Sequence, residues 1–281
     1  QRLDLANAQA QIRPRLIDKR DRALATEIVI GTLRWRAKLD FIIQKASSRP
    51  LNRIDADLLD LLRLSAYQLL HLDRVPAHAV VYEAVNLAAQ LGKKSASPFI
   101  NAVLRTIDRE MESQQLPARP TDLQQTDQNI ILDYLSITQS HPRWLMERWC
   151  DRYGADATIM WTVFNNAVAP TALRVNTLKR STSRLAEELL AFGIETRPSM
   201  WSPHALIVTR GNPHDSPLAS QGLFWLQDEA SQLIGELVAA KQGDQILDTC
   251  AAPGGKALVI ATHMEDRGLV ITADVRRART R

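Results

Sequence analysis

The sequence predicts a multidomain chain: an all-α N-terminal domain, a small α+β subdomain, and the opening part of an open α/β sheet. Three observations predict it. Up to about residue 110, apolar residues recur at helical spacing with few glycines and almost no strand-like alternation. From Thr171 the rhythm changes, and Ala172-Leu173-Arg174-Val175-Asn176 alternates like a strand. Finally, the apolar run Gln245-Ile246-Leu247 reads as a buried strand, followed by a loop of small residues and a helix from Ala257 to Met264.

In the N-terminal domain, Asp18-Lys19-Arg20-Asp21 introduces a helix in which Leu24, Ile28, Gly31 and Trp35 share a face. Arg34, Arg36 and Lys38 are left to face outward. After Pro50-Leu51-Asn52, the residues Leu58, Leu61, Leu62, Leu69 and Leu70 form a broad stripe between Ile54 and Leu72 that must pack on other helices. Pro76 breaks that run, Ala79 to Leu91 forms another helix stopped by Gly92, and Phe99 to Arg105 begins the last. This domain is assigned to residues 1–112. A stretch rich in Gln, Pro, Asp and Thr, residues 113–128, reads as a linker.

Residues 129–222 form the second part. Ile130 to Leu135 is a short helical segment, and Pro142 suits the first turn of the next helix. His141, just before it, orders that turn rather than serving catalysis. Ser181 to Ser183 offers caps for a helix through Phe192, Gly193 ends it, and Ala205-Leu206-Ile207-Val208 is a further strand. The third part, residues 223–281, opens with Gln227-Asp228-Glu229, whose acids cap the helix before the loop.

The loop is Asp248-Thr249-Cys250-Ala251-Ala252-Pro253-Gly254-Gly255-Lys256. A strand, a tight small-residue loop and a helix start present free backbone N–H groups to a nucleotide-like ligand. A phosphate-binding Walker loop needs Gly and a hydroxyl where Cys250 and Ala257 stand, and the dinucleotide fingerprint needs three spaced glycines where only Gly254 and Gly255 occur. A second strand, Gly268 to Ala273, ends in Asp274, 19 residues after Gly255. That is close to the spacing at which a carboxylate accepts hydrogen bonds from ribose hydroxyls. A ribose-binding acid beside a loop unsuited to pyrophosphate fits S-adenosyl-L-methionine.

Asp-x-Cys-Ala-Ala-Pro-Gly-Gly-Lys resembles the cofactor motif of the RNA 5-methylcytosine methyltransferases, which implies a Rossmann-like domain. The resemblance further implies that Cys250, Ala251, Ala252, Pro253, Gly254, Gly255 and Lys256 surround the methionine and ribose of the cofactor, and that Asp274 binds the ribose hydroxyls. Arg22 to Arg34, Tyr67-Gln68-Leu69-Leu70 with Pro76, and Phe99 to Arg105 resemble the NusB-like RNA-binding domain of the bacterial 16S ribosomal RNA methyltransferases of the RsmB/Sun (Fmu) family. The β-α-β piece from Thr171 is similar to that family's small RNA-gripping subdomain. Arg174 and Asn176 are accordingly either RNA contacts or solvent-facing strand positions.

The implied activity is S-adenosylmethionine-dependent methylation of carbon 5 of a cytosine in single-stranded or loop regions of small-subunit rRNA. The alternative is a non-catalytic NusB-like RNA-binding or ribosome-assembly protein with a vestigial cofactor loop. Charge accords with a nucleic-acid partner: residues 1–110 hold 18 Lys and Arg against 12 Asp and Glu, and the remainder 17 against 19. The only two cysteines, Cys150 and Cys250, offer no disulfide framework or metal spacing and read as buried or inert thiols. The family's nucleophilic cysteine is expected beyond Arg281, with the sheet truncated after two strands and an apolar face left uncovered. With no apolar run near 18 residues and no signal pattern, the chain is expected to be a cytoplasmic monomer with no membrane partner and no metal.

Overall fold

The computed structural model describes residues 18–110, 116–123 and 125–275. The first 17 residues of the expected N-terminal domain, part of the linker, and residues 276–281 lie outside them. The chain divides into two units, Gln1–Ala167 and Val168–Arg281.

The first unit begins with five helices: α1 (Lys19–Arg34), α2 (Arg36–Ser47), α3 (Ala56–His71), α4 (Ala77–Gln90) and α5 (Ser97–Arg109). Asp18 and Asp55 cap α1 and α3 by accepting backbone N–H groups of the first turn. Pro76 stands at the N-cap of α4 and Pro98 lies in the first turn of α5, where a missing N–H costs nothing. Leu39, Ile43, Leu62, Ala66, Ala88, Ile100 and Leu104 form a fully buried core. Of the predicted stripe, Leu58, Leu61, Leu62 and Leu69 are buried and Leu70 packs at the margin.

Two expectations for α1 and α2 are corrected. Leu24 is exposed, so the α1 face is shallower than its periodicity implies. Lys38 does not simply face outward: its Nζ lies 5.1 Å from the Trp35 ring centroid, and burial lowers its pKa. A long aliphatic stem laid over an aromatic ring covers apolar surface while keeping its charge near the ring face.

The unit continues through α6 (Gln128–Asp133), a π turn at Tyr134–Thr138, α7 (Arg143–Tyr153) and α8 (Ala155–Asn166). The His141 ring Nδ1 lies 2.6 Å from the Gln139 carbonyl, which orders the turn before α7 as expected. Ser140 adopts φ 56° and its Oγ accepts the Ala37 N–H at 2.9 Å. Trp35 gives α2 no side-chain cap, so Ser140, 103 positions beyond Ala37, supplies one. Residues 128–167 thus fold in the same unit as the N-terminal helices, whereas the sequence grouped 129–222 together. Helix α8 has no sequence signature because Met160, Trp161, Val163 and Phe164 are exposed and blur any apolar stripe.

The second unit contains β1 (Thr171–Val175), α9 (Thr182–Ala191), β2 (Glu195–Pro198), β3 (Ala205–Arg210) and β4 (Phe224–Leu226). These strands make an antiparallel sheet in the order β2-β3-β1-β4. Leu185 and Leu189 of α9 pack with Leu173, Val175 and Leu206 in its core. Strand β4 pairs Phe224 with Val175, so this sheet runs past the 222/223 division read from sequence. Then come α10 (Glu229–Leu237), β5 (Gln245–Asp248), α11 (Gly255–His263) and β6 (Leu269–Thr272), with β5 and β6 parallel. Strand β5 is not buried as predicted: Leu247 is 61% exposed and Ile271 of β6 51%. Ile246, Val270, Ile260 and Met264 pack together on the helix side. The opposite face is uncovered among the described residues.

Candidate cofactor site

Parallel pairing sets Asp248 opposite Thr272, so the loop leaving β5 and the segment leaving β6 emerge at the same end of the pair. Ligands of open α/β sheets bind outside the carboxyl ends of their strands for this reason. Two backbone bonds tie the two exits together and a third tightens the loop itself. The Ala273 N–H donates to the Asp248 carbonyl at 2.8 Å, the Ala251 N–H to the Ala273 carbonyl at 3.0 Å, and the Gly254 N–H to the Ala251 carbonyl at 2.6 Å. The Asp248 carboxylate accepts the Cys250 N–H at 3.1 Å, closing the first turn of the loop.

The predicted residues Cys250 to Lys256 and Asp274 are brought together. Asp274 Oδ2 accepts the Ala252 N–H at 3.1 Å, so the acid and the loop share one structure although 22 residues separate them. The Ala252–Pro253 peptide bond is cis. Gly254 has φ 100°, a conformation that L side chains rarely adopt, and it serves as N-cap of α11 without a side-chain cap. The first N–H groups of a nine-residue helix therefore face the loop uncapped by any side chain. Lys256 is exposed, and Ala251 and Ala257 are buried beneath the loop. For Cys250 the buried reading is corrected, because the residue is exposed on the loop. Cys150 is half-buried on α7, and burial pushes its thiol pKa up, as suits an inert thiol.

Two residues carry roles that the sequence does not display, one against the loop and one at the far end of α11. Gln227 is buried, its Oε1 accepts the Trp225 indole N–H at 2.9 Å, and a Cβ on Gly255 would stand 3.3 Å from its Nε2. Its neighbour Asp228 caps α10 through the Ala230 N–H at 2.9 Å, as expected. The second is Arg174, for which both expectations fail: it neither faces solvent nor is free for an outside ligand, being 0% exposed and paired with Glu236. Asn176 is committed to its own turn, with Oδ1 accepting the Leu178 N–H and Nδ2 donating to the Gly222 carbonyl.

Residues 2–109 match the NusB family, residues 141–215 the ferredoxin-like domain of RsmF/B-type methyltransferases, and residues 236–281 the 16S rRNA methyltransferase RsmB/F. The chain thus carries a NusB domain and RsmB/F-type methyltransferase domains. It is 31% identical over 263 residues to the probable ribosomal RNA small subunit methyltransferase B of Bacillus subtilis, covering 92% of this chain and 56% of that protein. It is 35% identical to ribosomal RNA small subunit methyltransferase B of Proteus mirabilis, covering 91% of this chain and 57% of the relative. The chain thus spans about half the length of the curated relatives it matches. The crystal structure of PH0851 shares the fold, with TM-score 0.73 at 22% identity over 98% of this chain and 59% of that one. Within the RsmB/F family match lie the loop, α11, β6 and Asp274. No helix among the described residues is long and apolar enough to cross a membrane.

Proposed function

We propose that this chain supplies the RNA-binding and cofactor-binding portions of an S-adenosyl-L-methionine-dependent methyltransferase that acts on carbon 5 of a cytosine in 16S rRNA. The observation that carries the reading is the junction of Asp274 with the Cys250–Lys256 loop at the carboxyl ends of two parallel strands. That donor set fits this cofactor. A carboxylate suits a ribose diol, and the uncapped start of α11 suits an amino-acid carboxylate. The bound cofactor supplies an electrophilic methyl group on a sulfonium. The chain's own part is to hold the ribose at Asp274, to shape the loop with Asp248 and Gly254, and to keep side chains out of the space above Gly254. Methylation of carbon 5 calls for a thiolate that adds to carbon 6 of the cytosine and leaves after the carbon-5 proton is removed. We assign that role to neither Cys150 nor Cys250. The helical domain, with its excess of Lys and Arg, is the part proposed to hold rRNA. We further propose residues 1–112, 129–222 and 223–281 as sequence domains, with folding units that cross those limits.

Titration calorimetry with S-adenosylmethionine on the whole chain tests the cofactor reading. Wild type is expected to bind, and Asp274→Asn to bind at least about tenfold more weakly, the loss of one charge-assisted pair of hydrogen bonds. Equal affinity in the two proteins, or no heat with wild type at millimolar cofactor, overturns the assignment.

A further inference from the structure

Arg174 carries a charge into the middle of the second unit. Its side chain leaves β1 with 0% exposure, and Nη1 donates to Glu236 Oε1 of α10 at 2.5 Å. His263, the last residue of α11, places Nε2 at 2.8 Å from the other oxygen, Glu236 Oε2. A ring nitrogen that donates its proton cannot also accept one, so the Nε2–H is directed to Glu236. Arg174 Nη2, 3.5 Å from that nitrogen, is then a close neighbour rather than a donor to it. One carboxylate thus ties a strand of the antiparallel sheet to the C-terminal ends of two helices.

The surroundings favour that ion pair. Burial pushes the Glu236 carboxyl upward, but the Arg174 hydrogen bond and charge win and hold it below the usual range, so it is ionised. His204, just ahead of β3, is held low by burial and then by Arg174, so it stays neutral near pH 7 and adds no second cation. Arg174 Nε has no hydrogen-bond partner, so the guanidinium depends on Glu236 for its compensation.

Helix α11 begins at Gly255, in the candidate cofactor loop, and ends at His263, in the cluster. Helices α10 and α11 touch closely between these points: a Cβ on Gly235 would come within 2.6 Å of Val259. The two helices are therefore packed with no slack between them, and the cluster fastens their C-terminal ends to the sheet.

We propose that the Arg174–Glu236–His263 cluster positions the cofactor loop, making Arg174 a positioning residue that acts through Glu236 and α11 without touching the ligand. The link to cofactor binding rests on the function proposed above. Two readouts on the whole chain test it: hydrogen exchange of the amides of residues 250–258 without ligand, and calorimetric affinity for S-adenosylmethionine. Arg174→Met strands the Glu236 charge, and is expected to speed exchange of those amides and weaken binding, each by about tenfold, while leaving β2 and β3 protected. The milder Glu236→Gln is expected to move both in the same direction. The double variant, with no stranded charge, is expected to recover most of the loss. Unchanged loop exchange in both single variants overturns the proposal, as does a rise spread evenly over the whole second unit, the mark of a merely structural pair. If wild type fails to bind the cofactor, the functional reading falls and the exchange data alone decide whether the cluster positions the loop.

Discussion

The helical domain and the β5–α11–β6 piece use the same kinds of apolar residue to opposite effect. In the first, leucines and isoleucines from α2, α3 and α5 converge from several directions, and Leu62 and Leu104 lose all contact with solvent. In the second, two parallel strands have one helix on one face, and Leu247 and Ile271 point away from it. An apolar side chain stabilises a fold only when something covers it, so the stability of the first region resides in its core. That of the second resides in backbone bonds and a few packed residues beneath α11. The loop at the carboxyl ends of β5 and β6 therefore depends on its neighbours for support.

Paired truncations sharpen this contrast most. Leu62→Ala removes a fully buried side chain and is expected to cost about 2–5 kcal/mol in denaturant unfolding, whereas Leu247→Ala is expected to stay within about 0.5 kcal/mol. Comparable losses from both would erase the distinction. Overfilling the same domain comes next. A Cβ at Gly31 would stand 1.9 Å from the Tyr67 ring, whose hydroxyl donates to Glu27 at 2.6 Å. Gly31→Ala is expected to cost about 1–3 kcal/mol by thermal unfolding, because the ring must shift and give up that bond.

A third test is pH-dependent. His71 stacks between Trp35 and Tyr67, at ring distances of 5.4 and 5.0 Å. Burial, and then the Lys38 charge, lowers its pKa from 6.5 to about 4. The unfolded chain takes up this proton first as pH falls, so the contribution is complete above pH 6.5 and is lost as pH falls toward 4. His71→Phe keeps the stack and cannot titrate. Stability measured between pH 4 and 7 should fall less steeply in this variant, and parallel curves would refute the account.

Much of this was legible in the sequence, for reasons that also explain what was not. The stripe of α3 and the Pro and Gly stops around α4 act through local periodicity and backbone restriction, which a sequence displays directly. The loop was legible because its small residues and the acid at the end of β6 are set by chain geometry. Arg174 was not, because strand alternation says which side a residue faces but not whether a carboxylate waits there, and Glu236 lies 62 residues away. Strand β2 was missed because Pro198 and charged residues fill it, and the edge position that tolerates them is a property of the assembled sheet. The run Gln245-Ile246-Leu247 reads as buried because an apolar run signals a buried strand only where both of its faces are covered, and the exposed Leu247 lies instead on the uncovered apolar face that a two-stranded sheet was expected to leave.

The cap that Ser140 provides for α2 bears on how this chain can be divided. A boundary drawn by family resemblance falls near residue 109, yet the first turn of α2 borrows its hydrogen-bond acceptor from beyond that point. Thr138 likewise donates to the Pro117 carbonyl at 2.6 Å, fastening the same turn to the connecting segment. A polypeptide cut after Arg109 would keep every residue of the NusB match and still lack the Ser140 cap, an omission worth about 0.5–2 kcal/mol. The limit of the family match and the limit of the stabilising contacts therefore do not coincide in this protein.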